Sequence, residues 1–325
     1  MIHPLKEFQI INKIAQSSQV IREDTRLGIG DDCAILSPPP HCEIAVTTDT
    51  LIENIHFPSS ISAHELGYFS CAASLSDLAA MGAKPSWVML SLSAPSIGES
   101  WLTDFINGYS NLLEHYSLQL IGGNLSNGPL AITWQCFGYL PRGQALLRSG
   151  ANAGDKIFVT GDLGLSALAI DIITGQNTFT IETPETILKQ FYYPIPKIEL
   201  GMALLNIASA AIDISDGLLA DLDHILERSG VGAEILAAQL PLSWALNNLE
   251  ENSAYSLALT AGQSYELCFT IPLDKEAEFY KMIQRLNSSC TCIGRIIQAP
   301  QLKVIDKNGA PINFNRRGFQ HWQES

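Results

Sequence analysis

The stretch Gly28-Ile29-Gly30-Asp31-Asp32-Cys33-Ala34-Ile35-Leu36 is answered after a short gap by Thr47-Thr48-Asp49-Thr50. Two adjacent carboxylates follow a Gly-x-Gly turn and precede a short apolar run. A strand over residues 43–46 is expected to end in the hydroxyls and third carboxylate of the second segment. Adjacent acids at strand ends repel one another unless positive charge lies between them. A hard divalent cation with oxygen ligands supplies that charge. Read alone, the Asp31-Asp32 pair fits a solvated acidic turn at least as well, and the rest of the chain must decide.

Outward from this stretch, strands and helices alternate. The apolar spacing predicts helices over residues 8–14, 64–81, 98–115, 165–174, 199–208, 218–228 and 275–286. It predicts strands over 42–48, 86–93, 118–121, 130–140, 156–160, 212–215, 265–271 and 292–297. The region after Glu234 reads as Ala- and Leu-rich helical pieces, and the tail from Asn308 as loop. The alternation gives an α/β or α+β fold class. A chain of 325 residues is long for one domain. The Gly- and Ala-containing connection 142–154 divides it into expected domains at 1–141 and 142–325.

Helix 64–81 is rich in small residues (Cys71, Ala72, Ala73, Ser74, Ser76, Ala79, Ala80), which lets another element approach its backbone. Asp77 near its C-terminal end opposes the macrodipole and needs a partner or a cation. Gly82 fits a C-cap and Pro85 a stop just beyond it. Ser74-Leu75-Ser76-Asp77-Leu78 is echoed by Ile214-Ser215-Asp216-Gly217-Leu218 in the second half.

A net charge of −14 argues against nucleic acid and anionic membrane surfaces as partners. It leaves phosphate ligands open if metal ions mediate. No apolar run approaches the length of a membrane span. The seven cysteines are scattered, and only Cys290 and Cys292 lie close, without the second pair a zinc site needs. That pattern and an N-terminus lacking a signal-peptide core point to a reducing, cytoplasmic setting.

The informative acids are Asp31, Asp32, Asp49, Asp77, Asp213 and Asp216, each beside hydroxyls or glycines such as Thr47, Thr48, Ser76, Ser215 and Gly217. Carboxylates, hydroxyls and carbonyls are Mg²⁺ ligands, and carboxylate-held Mg²⁺ is the usual equipment of phosphoryl transfer. Arg148 and Lys197 are the bases best placed to meet phosphates. A Gly-x4-Gly-Lys-Ser/Thr loop is absent, Cys33 occupies a glycine position of a dinucleotide fingerprint, and no Gly-x-Ser-x-Gly elbow occurs. Gly161-Asp162-Leu163-Gly164 before a helix reads as a strand-to-helix turn that could also cradle a phosphate.

Taken together, these stretches resemble the thiamine-monophosphate kinase family, within the superfamily of aminoimidazole ribonucleotide synthetase and selenophosphate synthetase. The matching runs are Gly28-Ile29-Gly30-Asp31-Asp32-Cys33-Ala34, Thr48-Asp49-Thr50-Leu51, His56-Phe57, Leu75-Ser76-Asp77-Leu78-Ala79-Ala80-Met81-Gly82-Ala83, Leu120-Ile121-Gly122-Gly123, Arg148-Ser149-Gly150-Ala151, Ala211-Ile212-Asp213-Ile214-Ser215-Asp216-Gly217-Leu218 and Tyr265-Glu266-Leu267-Cys268-Phe269-Thr270. They span nearly the whole chain in order. The resemblance implies a two-domain kinase that phosphorylates thiamine monophosphate to thiamine diphosphate with ATP. It also implies a homodimer paired through the N-terminal sheets. By motif, Asp32, Thr47, Thr48, Asp49, Asp77, Asp213 and Asp216 would bind Mg²⁺. Gly123, Asn124, Arg148 and Ser215 would contact ATP, and His56, Ser264 and Arg316 stand at substrate positions. Arg148 and Asp216 would carry the catalytic roles.

Three departures from the family pattern stand out. An expected Gly-Gly-Asp-Thr is Gly122-Gly123-Asn124-Leu125. An expected Gly-Gly-Glu-Asp-Tyr-Glu-Leu is Ala261-Gly262-Gln263-Ser264-Tyr265-Glu266-Leu267. Arg316 replaces an aromatic residue expected to stack on the substrate ring, a role open to Phe314 or Phe319. They leave open a second reading: a divergent relative acting on another small phosphorylated or carboxylate substrate, or a non-catalytic nucleotide-binding protein.

Overall fold

The computed structural model describes residues 5–17, 19–176, 178–312 and 318–319. These fall into two compact units, one drawn from Met1–Leu78, Ala83–Gly143 and Tyr192–Ile195, the other from Ala79–Gly82, Gln144–Phe191 and Pro196–Ser325.

The first unit holds helices α1 (Glu7–Ser17), α2 (Ala63–Ala80, whose last two residues are grouped with the second unit) and α3 (Glu99–His115), and strands β1 (Thr25–Leu27), β2 (Ile35–Leu36), β3 (Cys42–Ile52), β4 (Lys84–Ala94), β5 (Gln119–Asn127) and β6 (Ala131–Pro141). Among the described residues, β1 and β2 pair with each other, and the remaining strands form a sheet in the order β3-β6-β4-β5. Pairing is antiparallel except between β4 and β5.

Strand alternation divides this sheet into two faces. Asp49 lies opposite Trp134 and Thr47 opposite Cys136. Trp134 and Cys136 are buried, and the indole of Trp134 donates to Ser70 Oγ on α2 at 3.0 Å. The helices therefore cover the face that carries Thr47, Asp49 and Leu51. On the other face Ile44 and Val46 of the edge strand β3 are exposed. The small residues of α2 serve close packing within the unit: a Cβ on Gly67 would lie 2.2 Å from Phe105 O of α3, and one on Gly108 of α3 2.1 Å from His64 O. Trp87, Trp134, Tyr109, Phe69 and Phe105 fill the core, each contributing on the order of 2–3 kcal/mol on burial.

The second unit holds α5 (Pro184–Tyr192, whose last residue is grouped with the first unit), α4 (Leu165–Thr174), α6 (Ile198–Ala203), α7 (Leu218–Ser229), α8 (Glu251–Thr260) and α9 (Glu276–Leu286). Its strands are β7 (Lys156–Thr160), β8 (Ala210–Asp213), β9 (Gly232–Leu236), β10 (Leu267–Ile271), β11 (Cys290–Ile297), β12 (Leu302–Ile305) and β13 (Pro311–Ile312). Among the described residues they form one sheet in the order β13-β12-β9-β11-β7-β10-β8, parallel only between β12 and β9. Phe158, Phe269 and Phe279 make its aromatic core, with ring centroids 4.7 to 5.8 Å apart.

The mixed sheets and their flanking helices agree with the α/β (α+β) class. Several element limits differ from the sequence expectation. β3 runs past its expected end at Thr48 through Asp49 to Ile52, and β5 runs past Ile121 through Gly122, Gly123 and Asn124. In both cases ladder pairing to β6 or β4 carries the strand past its polar residues. α6 is only six residues long. The region after Glu234 does hold helical pieces, among them α8, but β9, β12 and β13 emerge from segments with no predicted strand.

Candidate functional site

In the first unit, the Gly30–Ala34 loop and the Gly122–Leu125 part of β5 face one cleft of about 360 Å³, whose wall also includes Ile11 and Ile14 of α1. This brings Asp31 and Asp32 to the same cleft as Gly123 and Asn124. Both acids are exposed, and the Asp31 carboxylate accepts the Asp32 amide at 2.9 Å. That bond engages one oxygen of Asp31 locally. Gly123 is required by the fold itself: a Cβ there would lie 1.9 Å from Leu90 O on β4.

A second acidic group forms where β3 crosses α2. The Thr47 hydroxyl donates to the Asp77 carboxylate. Burial first, then the charge of Asp77, pushes Asp49 up to about 6, against a stabilising hydrogen bond with Ser74. Two facing carboxylates and two hydroxyls, with no basic side chain in the group, match the oxygen ligands of a hard cation. Thr48 does not join them, because strand alternation turns it to the opposite face.

His56 is locked by reciprocal bonds to Ile52: its amide donates to Ile52 O, and the Ile52 amide donates to His56 Nδ1, both at 2.9 Å. An Nδ1 that accepts leaves the ring proton on Nε2.

In the second unit, Asp213 ends β8, and residues 214–217 lead into α7. Asp213 is 4% exposed, whereas Ser215 and Asp216 are half-buried. Segment 261–266 lies directly on this loop. Gln263 N donates to Ser215 O at 2.7 Å, Tyr265 N to Ile214 O at 2.9 Å, and Ser264 Oγ to Ile214 O at 3.2 Å. Gln263 and Tyr265 hold φ of 59° and 52°, a left-handed conformation that costs energy in a non-glycine residue. Phe319 N donates to Asp216 O at 2.9 Å, which brings the end of the described chain to the same loop. Arg316 and Phe314 lie outside the described residues.

Arg148 is exposed, while its backbone is anchored: Ala211 N donates to the adjacent Leu147 O at 3.0 Å and Ser229 Oγ to Arg148 O at 3.2 Å. Lys197 is committed elsewhere, pairing with Glu266 Oε1 at 3.1 Å. Burial raises Glu266 from its ordinary value, while Lys197 and the Thr160 hydroxyl favour its charged form.

Sequence reading missed Asp221 and Ser74. Asp221 has the profile of an ordinary first-turn acid of an amphipathic helix, yet it is 2% exposed. Burial and Asp216 push it up to about 7, against hydrogen bonds from Asp216, Gly217 and Ser215. Its spacing from Asp216 was the available signal. Ser74 lies three residues, close to one helical turn, before Asp77.

Among the described residues, no three His, Cys, Asp or Glu side chains group closely enough to hold a metal ion by themselves. Asp31 and Asp32 line the cleft, Asp49 and Asp77 lie on the helix-covered side of the first unit's sheet, and Asp213 and Asp216 belong to the second unit. Such pairs suit Mg²⁺, which keeps several waters and binds through one or two carboxylates plus substrate phosphates. No described helix is long and apolar enough to cross a membrane.

Residues 30–140 match the AIR synthase related protein N-terminal domain, and residues 152–307 the corresponding C-terminal domain. The thiamine-monophosphate kinase of Haemophilus influenzae is 40% identical over 328 residues, covering 98% of both chains. A crystal structure of thiamine-monophosphate kinase from Stenotrophomonas maltophilia is 40% identical, with a TM-score of 0.83, covering 93% of this chain and 97% of that one. The structure of AaThiL complexed with AMPPCP and TMP is 28% identical, with a TM-score of 0.75 and 97% coverage of both chains. The chain belongs to the thiamine-monophosphate kinase family of AIR synthase related proteins.

Proposed function

We propose that the protein transfers the terminal phosphoryl group of ATP to the phosphate of thiamine monophosphate, giving thiamine diphosphate and ADP. One observation carries this reading: a likeness over nearly the whole chain to kinases of that name, one relative of which is complexed with AMPPCP and TMP. The acceptor is already a phosphate, so the reaction needs no strong general base. The protein's work is positioning and charge stabilisation.

In the first unit, Asp32, Thr47, Asp49 and Asp77 supply oxygen ligands for Mg²⁺, and Gly123 and Asn124 line the nucleotide's cleft. In the second unit, Asp213 and Asp216 hold Mg²⁺, and Ser215 contacts ATP. When bound, Mg²⁺ neutralises phosphate charge and polarises the transferred group. Arg148 projects a guanidinium from an anchored backbone and offsets charge developing on the phosphates. His56, Ser264 and Arg316 are the substrate-binding positions.

The protein works in the cytoplasm as a homodimer. The uncovered sheet face with Ile44 and Val46 is its pairing surface, consistent with the need to bury exposed apolar side chains. Product formation from ATP, Mg²⁺ and thiamine monophosphate tests the proposal.

A further inference from the structure

We infer that Asp221 is a positioning residue that fixes the backbone of residues 214–217, so that the loop offers a ligand the side chains of Ser215 and Asp216 and not its amides. The inference rests on the roles proposed for those two residues.

Three consecutive amides, of Ser215, Asp216 and Gly217, all donate to the same atom, Asp221 Oδ2, each at 3.0 Å. The Asp221 amide in turn donates to Gly217 O at 3.0 Å, in the first hydrogen-bonded turn of α7. Successive amides turned toward one point form an anion-binding concavity, and a helix N-terminus strengthens it. By position this loop should hold a phosphate. Its anion is already supplied by the chain, because a buried carboxylate fills the concavity. A ligand phosphate cannot use those amides while Asp221 occupies them.

The carbonyl side of the loop is equally committed. Ile214 O accepts from Tyr265 N, Ser215 O from Gln263 N, and Asp216 O from Phe319 N. With amides and carbonyls both engaged, the backbone cannot rotate without breaking several bonds at once. Asp216 then meets a cation from a preset position. Residues that orient metal ligands in this way tune affinity strongly when altered.

The test is Asp221→Asn in the full-length protein, with Phe279→Leu as a core control in the same unit. Asparagine keeps the size but loses the charge that three amides share. Asp221→Asn is expected to raise the Mg²⁺ concentration for half-maximal rate about 10- to 100-fold. Saturating Mg²⁺ should restore most of kcat. Phe279→Leu should lower Tm and leave the Mg²⁺ profile unmoved. An Asp221→Asn protein that loses Tm but keeps the wild-type Mg²⁺ profile overturns the inference.

Should Asp221→Asn fail to fold, amide exchange of wild-type residues 215–217 decides. Protection supports the inference, and exchange as fast as that of exposed loops overturns it. Should the wild-type protein make no thiamine diphosphate, the proposed reaction fails separately. Thermal stabilisation by ATP with Mg²⁺ then scores Asp221: a weaker gain in Asp221→Asn supports it, and equal gains contradict it.

Discussion

The Thr47 hydroxyl donates to the Asp77 carboxylate and so joins β3 to α2 beside Asp49. The bond fixes one carboxylate and leaves the other facing it with no basic side chain in the group. An oxygen-ligated cation is the simplest complement to that arrangement.

Asp77→Asn should therefore keep the fold, because asparagine can still accept from Thr47. Its kcat at saturating ATP should fall about 100-fold or more, the scale of removing one electrostatic stabiliser from a transition state. Steady-state kinetics alongside thermal unfolding check this. Wild-type rates with an intact Tm would take Asp77 out of the metal site.

Asp49 makes the metal-free protein pH-sensitive. Its folded value near 6 lies above the unfolded value of 3.8, so the folded state binds the extra proton. The penalty for ionising Asp49 is absent below about pH 4 and grows as pH rises through 6. Between those limits stability should fall by at most about 3 kcal/mol. Chemical unfolding in a chelator, for wild type and Asp49→Asn, measures it. The variant's curve should be the flatter one, and parallel curves would contradict the assignment.

Gly122 and Gly123 should behave differently despite being neighbours. A Cβ on Gly122 meets only the end of the Met89 side chain at 3.3 Å, whereas one on Gly123 strikes the Leu90 backbone. Gly122→Ala should stay close to wild-type Tm. Gly123→Ala should lose roughly 1–3 kcal/mol, the scale of an overpacked core. Calorimetry of the two variants separates a packing role from nucleotide contact alone.

Asn124 shares its cleft with Asp31 and Asp32. Asn124→Asp adds a third carboxylate, which should lower stability in chelator and shift the Mg²⁺ activation curve to lower concentration. An unmoved curve would mean that no ion is held at that end of β5.

The helices and the acidic loops were legible because their signals are local. Apolar residues at helical spacing marked α3, and Asp216-Gly217 marked a chain reversal before α7. What escaped depends on partners distant in sequence. Nothing at Asp49 says that β3 continues past Thr48, because the pairing that continues it comes from β6, more than eighty residues away. β9 and β12 pair in parallel across almost seventy residues, and neither has a strong pattern alone. The site was legible as residue types but not as groupings. Thr47 and Asp77, thirty residues apart in sequence, meet because β3 packs against α2. Asp221 was missed because its role lies in accepting backbone amides, at which its spacing from Asp216 only hints.

The most direct measurement is chromatographic detection of thiamine diphosphate after incubating the purified protein with thiamine monophosphate, ATP and Mg²⁺. The account predicts stoichiometric conversion with ADP, abolished by chelator. Thermal stabilisation by ATP and Mg²⁺ without any thiamine diphosphate would contradict it and identify a nucleotide-binding protein that does not catalyse this transfer.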